Sequence, residues 1–100
     1  MNRWLFVFPL VATALLGTET AAPDATAARL YKVKCATCHG PNGEGGVGVS
    51  LKRKLHHSTA KELHDVIKSG IPGTNMPASG LPDPSVDKLV AYVRYLNKTK

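Results

Sequence analysis

Cys35-Ala36-Thr37-Cys38-His39 is the stretch of sequence that decides the fold. Its two cysteines are the only ones in the chain, and a histidine directly follows the second. Residues three positions apart lie on the same side of a helical turn, so both sulfur atoms can reach one ligand while the next side chain turns beneath it. Two cysteines form one bridge at most, which excludes a disulfide-dense scaffold.

A C-x-x-C-H pentapeptide is the attachment sequence of c-type haem. In such a site Cys35 and Cys38 become thioethers of the two haem vinyl groups, and His39 ligates the iron from the proximal side. Other interpretations stay open at this point. A redox-active dithiol would need a βαβ context, a structural disulfide would close a small ring, and a zinc site would need a fourth ligand.

The first thirty residues differ in composition from the rest. Arg3 precedes an uncharged apolar run from Trp4 to Gly17, and small residues follow it. This order is typical of a secretory signal. We predict a signal peptide over residues 1–21, with the cleavage site between 17 and 27, and one domain over residues 22–100. The alternatives are a buried helix and an uncleaved membrane anchor, although the run is shorter than a bilayer-spanning helix.

Removal of the leader would leave a domain of about 80 residues, near the size at which a hydrophobic core alone can hold a fold. Every Trp and Phe lies in the leader, so the domain would keep three tyrosines as its aromatic residues. A covalently held haem would supply the missing apolar bulk. The net charge of +6 admits nucleic acid, an anionic membrane or an acidic protein as partner.

Three segments show helical periodicity, and none shows the pattern of a strand. The first is predicted from Asp24 as N-cap to the cysteines, and the second from a capping box, Thr59 to Glu62, to Gly70. The third is predicted with Asp83 as N-cap and Pro84 at the first helical position. Ala27, Tyr31 and Cys35 are expected to share one face of the first helix. The residues expected to be buried in the other two are Leu63, Val66 and Ile67 in the second and Val86, Leu89, Val90, Val93 and Leu96 in the third.

Two loops rich in glycine, residues 40–48 and 70–82, separate these helices. The second loop contains Met76, the only methionine besides Met1. A thioether opposite a histidine raises the reduction potential of haem iron and fills its sixth position, so we predict Met76 as the distal ligand. His56 or His57 would instead give a bis-histidine site, and His64 is expected to be solvated.

These segments together resemble the class I cytochromes c, in particular the small bacterial periplasmic ones. The resemblance is carried by Leu30-Tyr31 with Cys35-x-x-Cys38-His39-Gly40, by Gly70-Ile-Pro-Gly-Thr-Asn-Met76-Pro77, and by Leu89-x-x-Tyr92-x-x-x-Leu96. It implies an all-α cytochrome c fold, in which three main helices and short helical segments wrap around one covalently bound haem. It also implies His39 and Met76 as axial ligands, and first and last helices that cross near Ala27, Tyr31 and Tyr92.

The sequence departs from the family pattern at three places, and at one of them Ala27 stands where the family often has glycine. Val49 stands where the family often has a proline whose carbonyl accepts a hydrogen bond from the ligand histidine, and Val49 still offers that carbonyl. The domain also has no tryptophan near a haem propionate. The residues expected to pack against the haem are apolar; they are Leu51, Leu55, Ile67, Leu81, Val90 and Val93.

We therefore predict a monomeric, periplasmic one-electron carrier with one haem c and its iron, active in a respiratory chain and not itself an enzyme. Basic residues near the haem-binding segments would steer acidic redox partners; they are Lys32, Lys34, Lys52, Arg53 and Lys54. Nucleic acid is not expected as a partner, and a membrane only if the leader is uncleaved. The alternatives are a dedicated haem subunit of a periplasmic dehydrogenase or terminal oxidase, and a gas-binding or peroxidatic haem protein.

Overall fold

The computed structural model describes residues 24–99. The predicted signal peptide, residues 1–21, lies outside the described residues. Residues 24–99 contain four helices and no strand: α1 (Ala25–Lys34), α2 (Ala36–His39), α3 (Ala60–Ser69) and α4 (Asp83–Lys98). The predicted all-α fold, with three main helices and one short one, is confirmed. No helix within this range has the length and hydropathy needed to cross a bilayer.

Helix α1 begins at the predicted cap. The Asp24 carboxylate accepts a hydrogen bond from the Thr26 amide at 2.6 Å, and it also binds Lys88 Nζ of α4 at 2.6 Å. The hydrogen bond from Lys88 is the main cause that lowers the pKa of Asp24 to about 2. The helix ends at Lys34, before Cys35, whose φ of −119° departs from helical values. The pentapeptide therefore forms a turn of its own, α2.

Helix α3 has the predicted capping box. Thr59 Oγ1 accepts from the Glu62 amide and Glu62 Oε1 accepts from the Thr59 amide, each at 3.1 Å. Leu63 and Ile67 are buried as predicted. Val66 is only half-buried, so that prediction is wrong: adjacent residues are about 100° apart around a helix, which places Val66 at the margin of the buried stripe.

Helix α4 begins one residue earlier than predicted. Pro82 is the N-cap and no side chain caps the helix, while Asp83 is its first residue. The prediction of Asp83 as N-cap is wrong because its carboxylate pairs with Lys68 of α3. His64 of α3 also lies against this turn, with Nε2 at 3.3 Å from Asp83 and 3.8 Å from Asp87. Its side chain is 26% exposed, so the prediction of a solvated His64 is wrong.

Helix α4 packs against both α1 and α3 and forms the centre of the fold. The crossing with α1 is the predicted one: Ala27 and Tyr31 are each 1% exposed, and the rings of Tyr31 and Tyr92 are 5.0 Å apart. All five predicted residues of α4 are buried. The core cluster comprises Tyr31, Leu51, Leu63, Ile67, Val86, Leu89, Val90, Val93 and Leu96.

Candidate functional site

A cavity of about 440 Å³ lies between the pentapeptide and the loop that contains Met76. Its wall is mainly apolar, and its volume is in the range of small-molecule sites. The lining residues are Lys34, Cys35, Cys38, His39, Ile67, Ile71 and residues 47–49 and 74–79. The structure thus brings together the four residues that the sequence predicts as thioether donors and iron ligands.

The two cysteines lie on one wall as half-buried free thiols. The short helix α2 fixes their spacing, because the amides of Cys38 and His39 both donate to the Cys35 carbonyl, at 3.2 and 3.0 Å. Burial raises the pKa of Cys35 to about 11. The Cys35 thiol therefore stays protonated at neutral pH in the chain without ligand.

The loop after the pentapeptide orients the His39 ring. Nδ1 of His39 lies 2.8 Å from the Val49 carbonyl, which is the hydrogen bond implied by the family resemblance. Because a carbonyl only accepts, Nδ1 carries the proton, and Nε2 keeps its lone pair for a metal. The amides of Gly45 and Gly48 donate to the carbonyls of His39 and Cys38, both at 2.7 Å, which holds this loop against α2.

Tyr31 fixes the end of α2 from the core side. Its hydroxyl donates to the Gly40 carbonyl at 2.6 Å, in a buried position. Burial raises the pKa of Tyr31 to about 12. The sequence predicted Tyr31 as a core residue only, since nothing local in it indicates a partner nine residues away.

The opposite wall carries Met76, which is half-buried. Its loop is anchored to α3, since the Ser79 amide donates to the Ile67 carbonyl at 3.1 Å. Gly70, with φ of 77°, allows the loop to pass close to the end of α3. A Cβ on Gly70 would lie 2.7 Å from the Ala78 nitrogen and 2.8 Å from the Met76 oxygen, so only glycine fits there.

The residues predicted to pack against haem divide into two groups. Ile67 lines the cavity, and the other five predicted residues are not among the lining residues. Of these five, Leu51, Val90 and Val93 lie in the core cluster, and Leu55 and Leu81 pack against it. His56 and His57 are not on the wall either. Sequence reasoning missed the contribution of Val47, and a glycine-rich loop offers no periodicity that could have indicated it.

The donor set fits a covalently bound haem. Two thiols, an imidazole and a thioether line the same apolar cavity, and these are the groups that hold c-type haem and its iron. Across residues 24–99 there is no cluster of three or more His, Cys, Asp or Glu side chains that could hold another metal ion. A zinc site built on the two cysteines therefore lacks ligands.

The family model described as "Cytochrome C oxidase, cbb3-type, subunit III" matches residues 22–93. The chain belongs to the class I cytochrome c family. Cytochrome c55X of Paracoccus denitrificans is 35% identical over 74 residues, which cover 73% of this chain and 72% of that protein. Cytochrome c-550 of Bacillus subtilis is 33% identical over 75 residues, which cover 75% of this chain and 61% of that protein.

Solved structures of cytochromes c share the fold. Cytochrome cL of Hyphomicrobium denitrificans superposes with a TM-score of 0.64 at 30% identity, over 70% of this chain and 45% of that one. The dihydro-haem d1 dehydrogenase NirN, solved in complex with DHE, gives a TM-score of 0.59 at 34% identity, over 68% of this chain and 15% of that one. This cytochrome c thus spans less than half the length of either protein.

Membership of the family establishes the cofactor and the class of function. The cofactor of cytochromes c is a covalently bound c-type haem with iron, and the family transfers electrons. The predictions of this cofactor and of an electron-transfer haem protein are therefore confirmed.

Proposed function

We propose that this cytochrome c is an exported, periplasmic one-electron carrier with His39 and Met76 as the axial ligands of its iron. The observation that carries the proposal is the shared cavity, with Cys35, Cys38 and His39 on one wall and Met76 on the other. When bound, the haem supplies an iron that alternates between ferric and ferrous states. Filled axial positions exclude other ligands and limit structural change during electron transfer.

The residues have distinct roles. Cys35 and Cys38 would hold the haem through thioethers, each formed by addition of one S–H group across one vinyl double bond, with the hydrogen going to the other vinyl carbon. The Val49 carbonyl keeps the His39 ring in the tautomer that presents Nε2. Ile67 contacts the haem from the cavity wall, and Leu51 and Val90 support that wall from the core.

Basic side chains that flank the haem-binding segments along the chain select acidic redox proteins as partners of this monomer. Lys32, Arg53 and Lys54 are exposed and available for steering. Lys52 is committed elsewhere: its Nζ binds Thr99 Oγ1 at 3.1 Å and the Leu96 carbonyl at 3.5 Å, at the end of α4. Lys34 Nζ lies 3.4 Å from the Ser79 carbonyl across the cavity. These partners are neutral oxygens, so both ammonium groups are held in place and keep their positive charge.

The test is substitution of Met76 by Ala in the haem-loaded protein. The reduced variant should bind carbon monoxide rapidly at neutral pH, and its reduction potential should fall on the order of 0.1 V, within the range of about 0.8 V that axial ligands span. His57→Ala, away from the cavity wall, is the matched control and should behave like the wild type. If Met76→Ala changes neither property while His57→Ala changes both, the ligand assignment is wrong.

A second candidate function is that of a haem subunit of a larger oxidoreductase. The description of the matching family model, which names an oxidase subunit, favours it. Size-exclusion chromatography of the native extract, followed through haem absorbance, distinguishes a free carrier from a subunit of a larger enzyme. A free carrier elutes near 10.7 kDa or below, whereas a subunit elutes with a larger enzyme. Rapid carbon monoxide binding by the reduced wild type would instead indicate the gas-binding alternative.

A further inference from the structure

Four hydrogen bonds between three residues close the loop that contains Met76. The Ile71 carbonyl accepts from the Thr74 amide at 3.1 Å and from Thr74 Oγ1 at 2.7 Å. Thr74 Oγ1 in turn accepts from the Met76 amide at 3.2 Å, and the Met76 carbonyl accepts from the Ile71 amide at 3.1 Å. The Thr74 hydroxyl is the one side chain in this set, and it uses both its donor and an acceptor function.

The arrangement fixes the point from which the Met76 side chain leaves the backbone. The Met76 amide and carbonyl flank its Cα, and both are hydrogen-bonded, one through Thr74 and one to Ile71. Without the hydroxyl, Met76 would keep only its bond to Ile71, and its peptide could rotate about that single contact. The neighbouring Gly73 does not restrain the loop by packing, because a Cβ built on it would meet no atom within 4 Å.

We propose that Thr74 is a positioning residue that holds Met76 toward the haem site. Its hydroxyl does so by accepting from the Met76 amide and donating to the Ile71 carbonyl. The inference rests on the proposed role of Met76 as the distal ligand. Thr74 is exposed and lies outside the core cluster, yet it lines the cavity. Its hydroxyl therefore contributes to the geometry of the loop much more than to the packing of the fold.

The experiment compares Thr74→Val with Thr74→Ser in the haem-loaded protein. Valine keeps the branched shape and removes the hydroxyl, whereas serine keeps the hydroxyl. The readouts are carbon monoxide binding by the reduced protein and the long-wavelength absorption that thioether ligation gives the ferric protein. Loss of the hydrogen bond from the Met76 amide to the Thr74 hydroxyl should raise the fraction of molecules with an open sixth position roughly five- to tenfold in Thr74→Val. Thr74→Ser should stay within about twofold of the wild type.

Thr59→Val is the control for a general loss of stability. It removes a threonine hydroxyl that caps α3, far along the chain from Met76, and should lower the unfolding temperature without a change in carbon monoxide binding. Thr74→Ala repeats the test with a second variant that lacks the hydroxyl. Met76→Ala sets the upper limit of carbon monoxide binding.

Three results would overturn the proposal. Thr74→Val and Thr74→Ala could bind carbon monoxide like the wild type while Met76→Ala binds it rapidly, which leaves the ligand assignment intact. Thr74→Ser could bind carbon monoxide like Thr74→Val, which would indicate that the shape of the side chain matters and not its hydroxyl. Thr59→Val could open the sixth position as much as Thr74→Val does, which would indicate a general loss of stability. No effect of Met76→Ala itself would instead show that the proposed function is at fault.

Discussion

Gly48 leaves no room for a side chain beside the His39 ring. A Cβ on Gly48 would lie 2.9 Å from both Cε1 and Nδ1 of His39, a separation that real Cβ atoms do not adopt. The imidazole is also held by the Val49 carbonyl, so it cannot turn away without the loss of that hydrogen bond. Gly48 and Val49, which are adjacent in one loop, therefore fix the His39 ring together.

We expect Gly48→Ala to displace the His39 ring and weaken its bond to Val49. The weakened hydrogen bond and the added strain should lower the free energy of unfolding by about 1–3 kcal/mol and shift the reduction potential. Gly46→Ala is the matched control, since its Cβ would meet only the Cys38 carbonyl oxygen, at 3.2 Å. Redox titration and thermal unfolding of both variants check this, and equal effects of the two would contradict it.

Single residues with a chemical signature are the part of the site that sequence predicts best. Cys35, Cys38, His39 and Met76 are recognised because their side chains differ in kind from their neighbours, and the structure places all four on one cavity. Leu51 was harder to place, because an apolar side chain suits the core and the haem pocket equally well. Only the packing of the loops decides between those two environments.

Among the larger elements, the turn from α3 into the Met76 loop depends on Gly70. Both Gly70 and Gly73 have φ near +80°, a region that costs other residues roughly 1–2 kcal/mol. Only Gly70 also meets backbone atoms, those of residues 76–78. We expect Gly73→Ala to cost about 1–2 kcal/mol and Gly70→Ala about 3 kcal/mol or more, with a loosened loop.

Denaturant unfolding and carbon monoxide binding of the reduced proteins measure the difference between these two variants. Gly70→Ala should be the less stable and should bind carbon monoxide faster, because the backbone of Met76 itself must move. Gly73→Ala serves as the control for left-handed strain alone. Equal stability of the two variants would show that the close approach at Gly70 is relieved without cost.

Helix boundaries show where sequence reasoning succeeds and fails at this scale. The caps at Asp24 and Thr59 were predicted because their partners are two and three residues away. The cap predicted at Asp83 failed because its carboxylate has a tertiary partner, Lys68, fifteen residues earlier in the chain. A local pattern contains no information about such a competitor, and the same holds for His64, which the first turn of α4 covers.

For the whole molecule, the haem cavity lies beside one hydrophobic core. Helix α4 buries one face against α1 and α3, and the pentapeptide and the Met76 loop line the cavity beside that core. A domain of this size buries little more apolar surface than it needs for stability. The haem therefore contributes to folding as well as to electron transfer.

We expect the double substitution Cys35→Ala with Cys38→Ala, produced without haem, to lose cooperative unfolding and roughly half or more of the helical circular dichroism. The loss should be largest around the cavity, since α1 and α4 retain their contact through Tyr31 and Tyr92. Thr37→Ala, an exposed substitution within the same pentapeptide, should retain haem and the full helical signal. A haem-free double variant with native helix content and a sharp thermal transition would show that α4 and its two partners hold the fold without the cofactor.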